Sequence, residues 1–267
     1  CFLDSAATMN LPLTGYGLRY RFGLFRQRFA PDGSQQELAD HWTRYGDPWF
    51  HRRYSHMVRI SFPDQTVIAV PYDMPVPGYG TDYIGTLRLW QCEAEEELDF
   101  DAFNAQHYEK ALSAKNQAEN ITRVLYPNDS TWEGKRLRIK QEYVLSSASL
   151  QDILRAFAEN HGPDFRRLAE FVSIQLNDTH PAMSIPELIR LLQERGISFD
   201  ESFAIARQVF SYTNHTVMAE ALEKWDMNLL ESVVPQICRV LRQLDEKLRR
   251  EQPGLFLIQN HTAHMAN

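Results

Sequence analysis

In the first half of the chain apolar and polar residues alternate, and in the second half apolar residues recur three and four apart, so strands are predicted first and helices after. Phe2, Leu3, Ala6, Ala7 and Met9 form a short helical face that ends at Asn10-Leu11-Pro12. Leu18, Tyr20 and Phe22 then alternate with Arg19 and Arg21, the pattern of a half-buried strand, and Arg26 and Arg28 extend its basic edge. A solvated sheet face accounts for these arginines; contact with an anion or effector is the alternative. Residues 31–53 read as a polar loop anchored by Trp42, Trp49 and Phe50. Two alternating runs, 56–62 and 66–72, joined by Pro63-Asp64-Gln65, predict a β-hairpin. Residues 71–80, rich in proline and glycine, predict a loop, residues 86–90 another strand, and the acidic run 93–101 a solvated linker.

Ala111, Ala114, Ala118, Ile121 and Leu125 mark one face of a helix ending near Tyr126-Pro127, followed by a polar loop over 128–134. A further helix carries Leu150, Ile153, Leu154 and Phe157 behind a capping box at Ser149 and Asp152. The short apolar run Val172-Ser-Ile-Gln-Leu176 reads as a buried parallel strand. It breaks at Asn177-Asp178-Thr179-His180-Pro181, whose proline cannot continue a strand. A helix follows, with Ser184 as cap, Pro186 in its first turn, Leu188, Leu191 and Leu192 on one face and Gly196 as its stop. Ser198 and Glu201 cap another helix bearing Phe203 and Ala206, and residues 209–213 fit either helix or strand. After Trp225-Asp226 a long amphipathic helix carries Leu230, Val233, Ile237, Val240, Leu241, Leu244 and Leu248, with a kink at Pro235. The fold class is α/β with an antiparallel or mixed sheet in the first half.

Composition narrows the functions. With 267 residues, 43% of them hydrophobic, the chain can bury one large core or two small ones. No window reaches the ~18 consecutive apolar residues of a membrane span. The opening Cys1-Phe-Leu-Asp-Ser reads as the middle of a helix rather than a leader, so a fragment is expected. Cys1, Cys92 and Cys238 are far apart and match neither a disulfide framework nor a zinc pattern, which points to a reducing cytoplasm. A net charge of −7 argues against nucleic acid and leaves neutral ligands such as sugars unopposed.

The chemistry gathers in two polar loops, Asn177-Asp178-Thr179-His180 and Thr213-Asn214-His215-Thr216. The first leaves the C-terminal end of a strand, where open α/β sheets bind ligands, although Asp178 and His180 could equally cap the next helix. Both loops carry short donors and acceptors that hold hydroxyl groups, plus an imidazole. Asp178, His180 and His215 could ligate a metal, but Asp-x-His lacks a third spaced ligand. Asp129 and Asp178 could form a glycosidase pair, a reading that depends on their separation. No glycine-rich phosphate loop or serine elbow is present. The residues alone indicate an α/β protein with a polyol-binding cleft.

At these residues the chain resembles the α-glucan phosphorylases, the family of glycogen, starch and maltodextrin phosphorylases. The matching blocks are Cys1-Phe-Leu-Asp-Ser, Gly15-Tyr-Gly-Leu-Arg-Tyr, Thr86-Leu-Arg-Leu-Trp90, Glu119-Asn-Ile-Thr-Arg-Val-Leu-Tyr-Pro-Asn-Asp129, Leu137-Arg-Ile-Lys-Gln-Glu-Tyr143, Gln175-Leu-Asn-Asp-Thr-His-Pro181, Tyr212-Thr-Asn-His-Thr216 and Glu220-Ala-Leu-Glu-Lys-Trp225. They cover nearly the whole chain in family order.

The resemblance implies most of the N-terminal domain of a two-domain, GT-B-type (Rossmann-like) glycosyltransferase, a mixed sheet with flanking helices. The full-length enzyme would be a cytoplasmic homodimer. It would use pyridoxal 5'-phosphate and inorganic phosphate to release glucose 1-phosphate from α-1,4-glucan such as glycogen or maltodextrin. The cofactor lysine would lie in a C-terminal domain absent here, so the fragment alone is expected to be inactive. A catalytically silent glucan-binding or dimerisation module is the alternative. By the same resemblance His215 contacts the glucosyl unit at the reaction centre, with Asn214 and Thr216 beside it. Asp178 and His180 flank the acceptor sugar. Asp129 is the acidic member of a gate loop over the cleft, Tyr126 at that loop's start is expected to stack on a sugar, and Ser130 stands where the family often has a 2-hydroxyl-binding Asn. Arg155 matches the first of two effector-site arginines, whereas the second position is Ala156. Membrane and nucleic acid are not expected partners, and no metal is implied.

Overall fold

The computed structural model describes residues 1–215, 218 and 222–265, and the chain divides into two compact units. The first comprises Cys1–Ser61 and Gln65–Gln141, the second Phe62–Asp64 and Glu142–Asn267.

In the first unit α1 (Phe2–Thr8) precedes β1 (Thr14–Leu18), β2 (Phe25–Phe29), β3 (Gln35–Ala39), β4 (His51–Arg52), β5 (Val58–Ser61), β6 (Thr66–Pro77) and β7 (Ile84–Ala94). Among the described residues the main sheet runs β1-β7-β6-β4, with β5 also on β6; β1 is parallel to β7 and the other pairs are antiparallel. The predicted hairpin is present, closing with Ser61 opposite Thr66. Val67, Ala69 and Val70 of β6 and Trp90 and Cys92 of β7 are fully buried.

The expected loop over 71–80 is instead mostly strand, because β6 pairs β7 through Pro77↔Ile84. Beyond Asp73, β7 is its only ladder partner among the described residues, so Pro75 and Pro77 lie where one side of the strand is open and a missing N–H costs little. Residues 35–39, expected as loop, are strand as well: β2 and β3 form an exposed antiparallel hairpin carrying Arg26 and Arg28. The 40–53 segment is anchored by Arg19, which bonds Asp47 at 2.9 Å and Gln91 at 2.8 Å and lies 4.3 and 5.0 Å from the ring centres of Tyr72 and Trp42.

The next elements are α2 (Phe100–Asn104), α3 (Tyr108–Ala111), α4 (Ser113–Asn120) and α5 (Trp132–His161). The single helix expected to reach Tyr126 is broken and ends early. Residues 122 and 123 leave it to bond β-structure: Thr122 O accepts from Arg21 N–H at 2.9 Å, Arg123 O from Phe22 N–H at 2.8 Å, and Thr122 Oγ1 from Cys92 N–H at 3.1 Å. Helix α5 runs uninterrupted for 30 residues, started by Thr131, whose Oγ1 accepts from Gly134 N–H, and stopped by Gly162 at φ +84 and Pro163. Ser149 and Asp152 therefore lie inside it and are not a capping box, since no breaker separates them from the preceding turns.

In the second unit follow α6 (Leu168–Phe171), β8 (Ile174–Asn177), α7 (Ser184–Glu194), α8 (Phe199–Val209), β9 (Phe210–Thr213), β10 (Lys224–Asp226), α9 (Met227–Val233), α10 (Pro235–Glu251), β11 (Ile258–Gln259) and β12 (Thr262–His264). Leu154, Leu168, Leu188, Leu192, Val209 and Val240 share one core. Strand β8 is shorter and less buried than expected, with Leu176 alone fully enclosed. Ser184 is the first residue of α7 rather than its side-chain cap, while the Ser198–Glu201 capping box at α8 is present. The ambiguous residues resolve into both structures: helix to Val209, strand from Phe210. Pro235 does not kink one helix but starts a second, because at the first helical position its missing N–H is no loss. Among the described residues no helix is long and apolar enough to cross a membrane.

Leu188 has no exposed surface, so Leu188→Ala is expected to cost about 2–5 kcal/mol in urea unfolding, against less than about 0.5 kcal/mol for Leu24→Ala on an exposed turn. Equal losses would contradict this core assignment. Asp245 ties α10 to β11: it accepts from Arg249 Nε at 2.7 Å and from the N–H groups of Leu257 and Ile258 at 2.8 Å. Burial alone raises its carboxyl, but these bonds outweigh burial and hold it below 3.8. A lowered carboxyl stabilises the fold above its unfolded value and loses that contribution as pH falls through the folded value. Melting temperature against pH is therefore expected to fall less steeply between about pH 5 and 2 in Asp245→Asn than in wild type; identical acid limbs would contradict it.

Candidate functional site

Strands β8 and β9 are parallel neighbours in the register Ile174↔Phe210 to Asn177↔Thr213, so both polar loops leave the same end of the pair. One further main-chain bond extends the pairing, from Asp178 N–H to Thr213 O at 2.8 Å. Gln175 Nε2 donates to Thr213 Oγ1 at 2.9 Å and ties the second strand's end to the first. Immediately after the last paired residue the backbone turns: Asp178 takes φ +67, a left-handed conformation that short polar Asp tolerates better than bulkier residues. Its Oδ1 accepts from Thr179 N–H at 2.8 Å.

The turn sends Thr179 inward, fully buried, where its hydroxyl donates to Glu223 Oε2 at 2.9 Å. His180 stays about one-third exposed, with Nε2 3.8 Å from Glu223 Oε1. Glu223 stands just before β10, and its carbonyl accepts from Met265 N–H at 3.1 Å. Burial, and then the negative charges of Asp178 and Glu223, raise the Tyr212 phenol above its ordinary value of 10.0. Asn214 and His215 are exposed on the loop beyond β9, and Thr216 lies outside the described residues. The structure thus brings Asp178 and His180 to the end of the ladder from which Asn214 and His215 emerge. Tyr212 and Glu223 were not among the candidates. Glu223 belongs to the Glu220-Ala-Leu-Glu-Lys-Trp225 block but is 44 residues from Thr179, and only folding makes them neighbours.

In the first unit, Tyr126 takes φ +51 and is exposed, with the Arg138 guanidinium 5.3 Å from its ring centre. Asp129 and Ser130 are exposed, and Ser130 N–H donates to Asn128 Oδ1 at 2.8 Å. The turn packs directly on α5: a Cβ at Gly134 would lie 2.1 Å from Asn128 O and 2.9 Å from Asp129 Cα. Arg155, in the second unit, bonds Asp152 at 2.7 Å and Glu159 at 2.8 Å, so two carboxylates already compensate its charge.

The second-unit cluster offers alternating acceptors and donors on short side chains, suited to neutral hydroxyl groups. Among the described residues no group of three His, Cys, Asp or Glu stands together as metal ligands.

A model of the carbohydrate phosphorylase family matches residues 1–265. Glycogen phosphorylase 2 of Dictyostelium discoideum is 43% identical over 267 residues, covering 92% of this chain and 27% of its own length. The brain form of human glycogen phosphorylase is 42% identical, covering 96% and 33%. Glycogen phosphorylase of Chlamydia trachomatis is 41% identical, covering 95% and 34%. The chain spans about one third or less of the length of these relatives.

Because the 128–131 turn lies on Gly134, Gly134→Ala is expected to cost about 1–3 kcal/mol and to increase proteolysis within 126–131. Unchanged unfolding and cleavage would contradict the packing described.

Proposed function

The chain belongs to the carbohydrate phosphorylase family, and we propose that it supplies the glucan side of the active site of an α-glucan phosphorylase. In this reading residues 1–267 are most of the N-terminal domain of a GT-B-type enzyme, cytoplasmic and homodimeric when full-length. The reaction breaks the bond between C1 of the terminal glucose and the oxygen of the next sugar. A phosphate oxygen bonds C1 with retention, and the proton given up by the phosphate ends on the departing 4-oxygen, which becomes a hydroxyl.

One observation carries the reading: two polar loops meet at the carboxyl end of a parallel strand pair, with Asp178 and His180 on one and Asn214 and His215 on the other. A glucosyl unit has no charge, so it is oriented by several short polar groups rather than by one ion, and orientation with fixed dipoles supplies much of the rate. His215 holds the glucosyl unit at the reaction centre, and Asp178 and His180 hold the acceptor sugar. Asn214 and Thr216 bind beside His215. Tyr126, Asp129 and Ser130 contribute sugar contacts from their own loop, Ser130 with a shorter reach than the Asn common in the family. Arg155 remains a weak effector contact, given its two carboxylate partners.

Pyridoxal phosphate does not fit the cluster around Asp178. Its phosphate would meet the carboxylates of Asp178 and Glu223, and the adjacent lysine, Lys224, is exposed. The cofactor and its lysine are assigned to the remainder of the full-length protein, and no step here runs through them.

Phosphorolysis by the full-length parent tests the proposal. Glucose 1-phosphate release is expected to require pyridoxal phosphate and to fall about 100-fold or more in both His215→Ala and Asp178→Ala. Absence of release by the wild-type holoenzyme would overturn it and leave a glucan-binding relative without the chemistry.

A further inference from the structure

We propose that Glu223 is a positioning residue that sets the sugar-facing geometry of His180, an inference that rests on the phosphorylase reading above. Its carboxylate divides its two oxygens between consecutive residues of the turn after β8. Oε2 accepts the Thr179 hydroxyl at 2.9 Å, and Oε1 faces His180 Nε2 at 3.8 Å. The second distance exceeds a direct hydrogen bond and is within the range of an electrostatic contact.

Two independent scaffolds fix the parts. The main chain of Glu223 is held where the β10–β12 ladder begins, by Met265 N–H to Glu223 O at 3.1 Å and by Lys224 opposite His264. The turn is held at the other side by Asp178 N–H to Thr213 O, and its left-handed Asp178 directs Thr179 inward. Thr179 is fully enclosed, so its hydroxyl needs an acceptor inside the protein, and Glu223 provides one. That bond places the same carboxylate beside the imidazole. Glu223 is itself only 15% exposed, so its charge acts on His180 with less solvent screening than a surface carboxylate. Loss of the charge removes the electrostatic contact that favours one orientation of the His180 ring over others.

A purely structural role for Glu223 would satisfy Thr179 and do nothing for sugar. Glu223→Gln separates the two roles, because the amide oxygen still accepts from Thr179 while the charge facing His180 is gone. In the full-length holoenzyme this variant is expected to raise KM for glucan about tenfold, leave KM for phosphate within about twofold and shift Tm by less than about 2 °C. Combined with His180→Ala it is expected to add nothing, since both changes remove one arrangement. Thr179→Val, which removes the hydroxyl bonded to the carboxylate, is expected to raise the same constant by less, and it decides the matter if Glu223→Gln does not fold.

Three results would overturn the inference alone: an unchanged glucan KM in Glu223→Gln while His180→Ala weakens glucan; effects of the two changes that multiply; or a fall in Tm with both Michaelis constants rising together. A wild-type holoenzyme that performs no phosphorolysis would instead remove the reading beneath it, and this inference with it.

Discussion

The pairing of Ile174–Asn177 with Phe210–Thr213 is the constraint on which the candidate site depends. Because the strands run the same way, their exits lie side by side, and the Asp178 to Thr213 main-chain bond closes the ladder at the point where the chain must turn. A parallel pair needs a long crossover, and α7 and α8 provide it while burying Leu188, Leu192 and Val209 against the core. The site is therefore a consequence of core packing: the apolar faces hold the strands in register, and the register assembles polar residues distant in sequence.

Much of this arrangement was legible beforehand, for physical reasons that differ by element. The run Asn177-Asp178-Thr179-His180-Pro181 announces a break because its proline cannot stay in a ladder and its short polar side chains prefer turns. Ser198 and Glu201 announce a helix start because each satisfies the other's free N–H. Residues 209–213 were ambiguous because a helix passes into a strand there without a loop, and no local propensity marks such a passage. Glu223 lies inside the family block Glu220-Ala-Leu-Glu-Lys-Trp225, but nothing in that block links it to Thr179, 44 residues away, and the contact exists only after folding.

In the first unit the misreadings share a cause: tertiary partners override local preference. Proline and glycine over 71–80 suggested a loop, yet β7 offers a full ladder on one side and leaves the other side open, so the prolines are tolerated. Residues 122 and 123 would continue a helix by periodicity but are drawn into bonds with Arg21, Phe22 and β7. In the second unit Ser149 and Asp152 match the pattern of a helix start, yet α5 passes through them because nothing upstream stops it. The family blocks agree with the carbohydrate phosphorylase match over residues 1–265.

The most direct measurement is an NMR titration of this 267-residue chain with a linear maltooligosaccharide, following the backbone amides of Asp178–His180 and Thr213–His215. The expected result is saturable, weak binding with shifts concentrated at those amides and at Glu223, and none with a β-linked glucan of equal length. Shifts spread elsewhere with those amides unmoved, or an equal response to the β-linked sugar, would contradict the claim that the carboxyl end of the β8–β9 pair is a site for α-glucan.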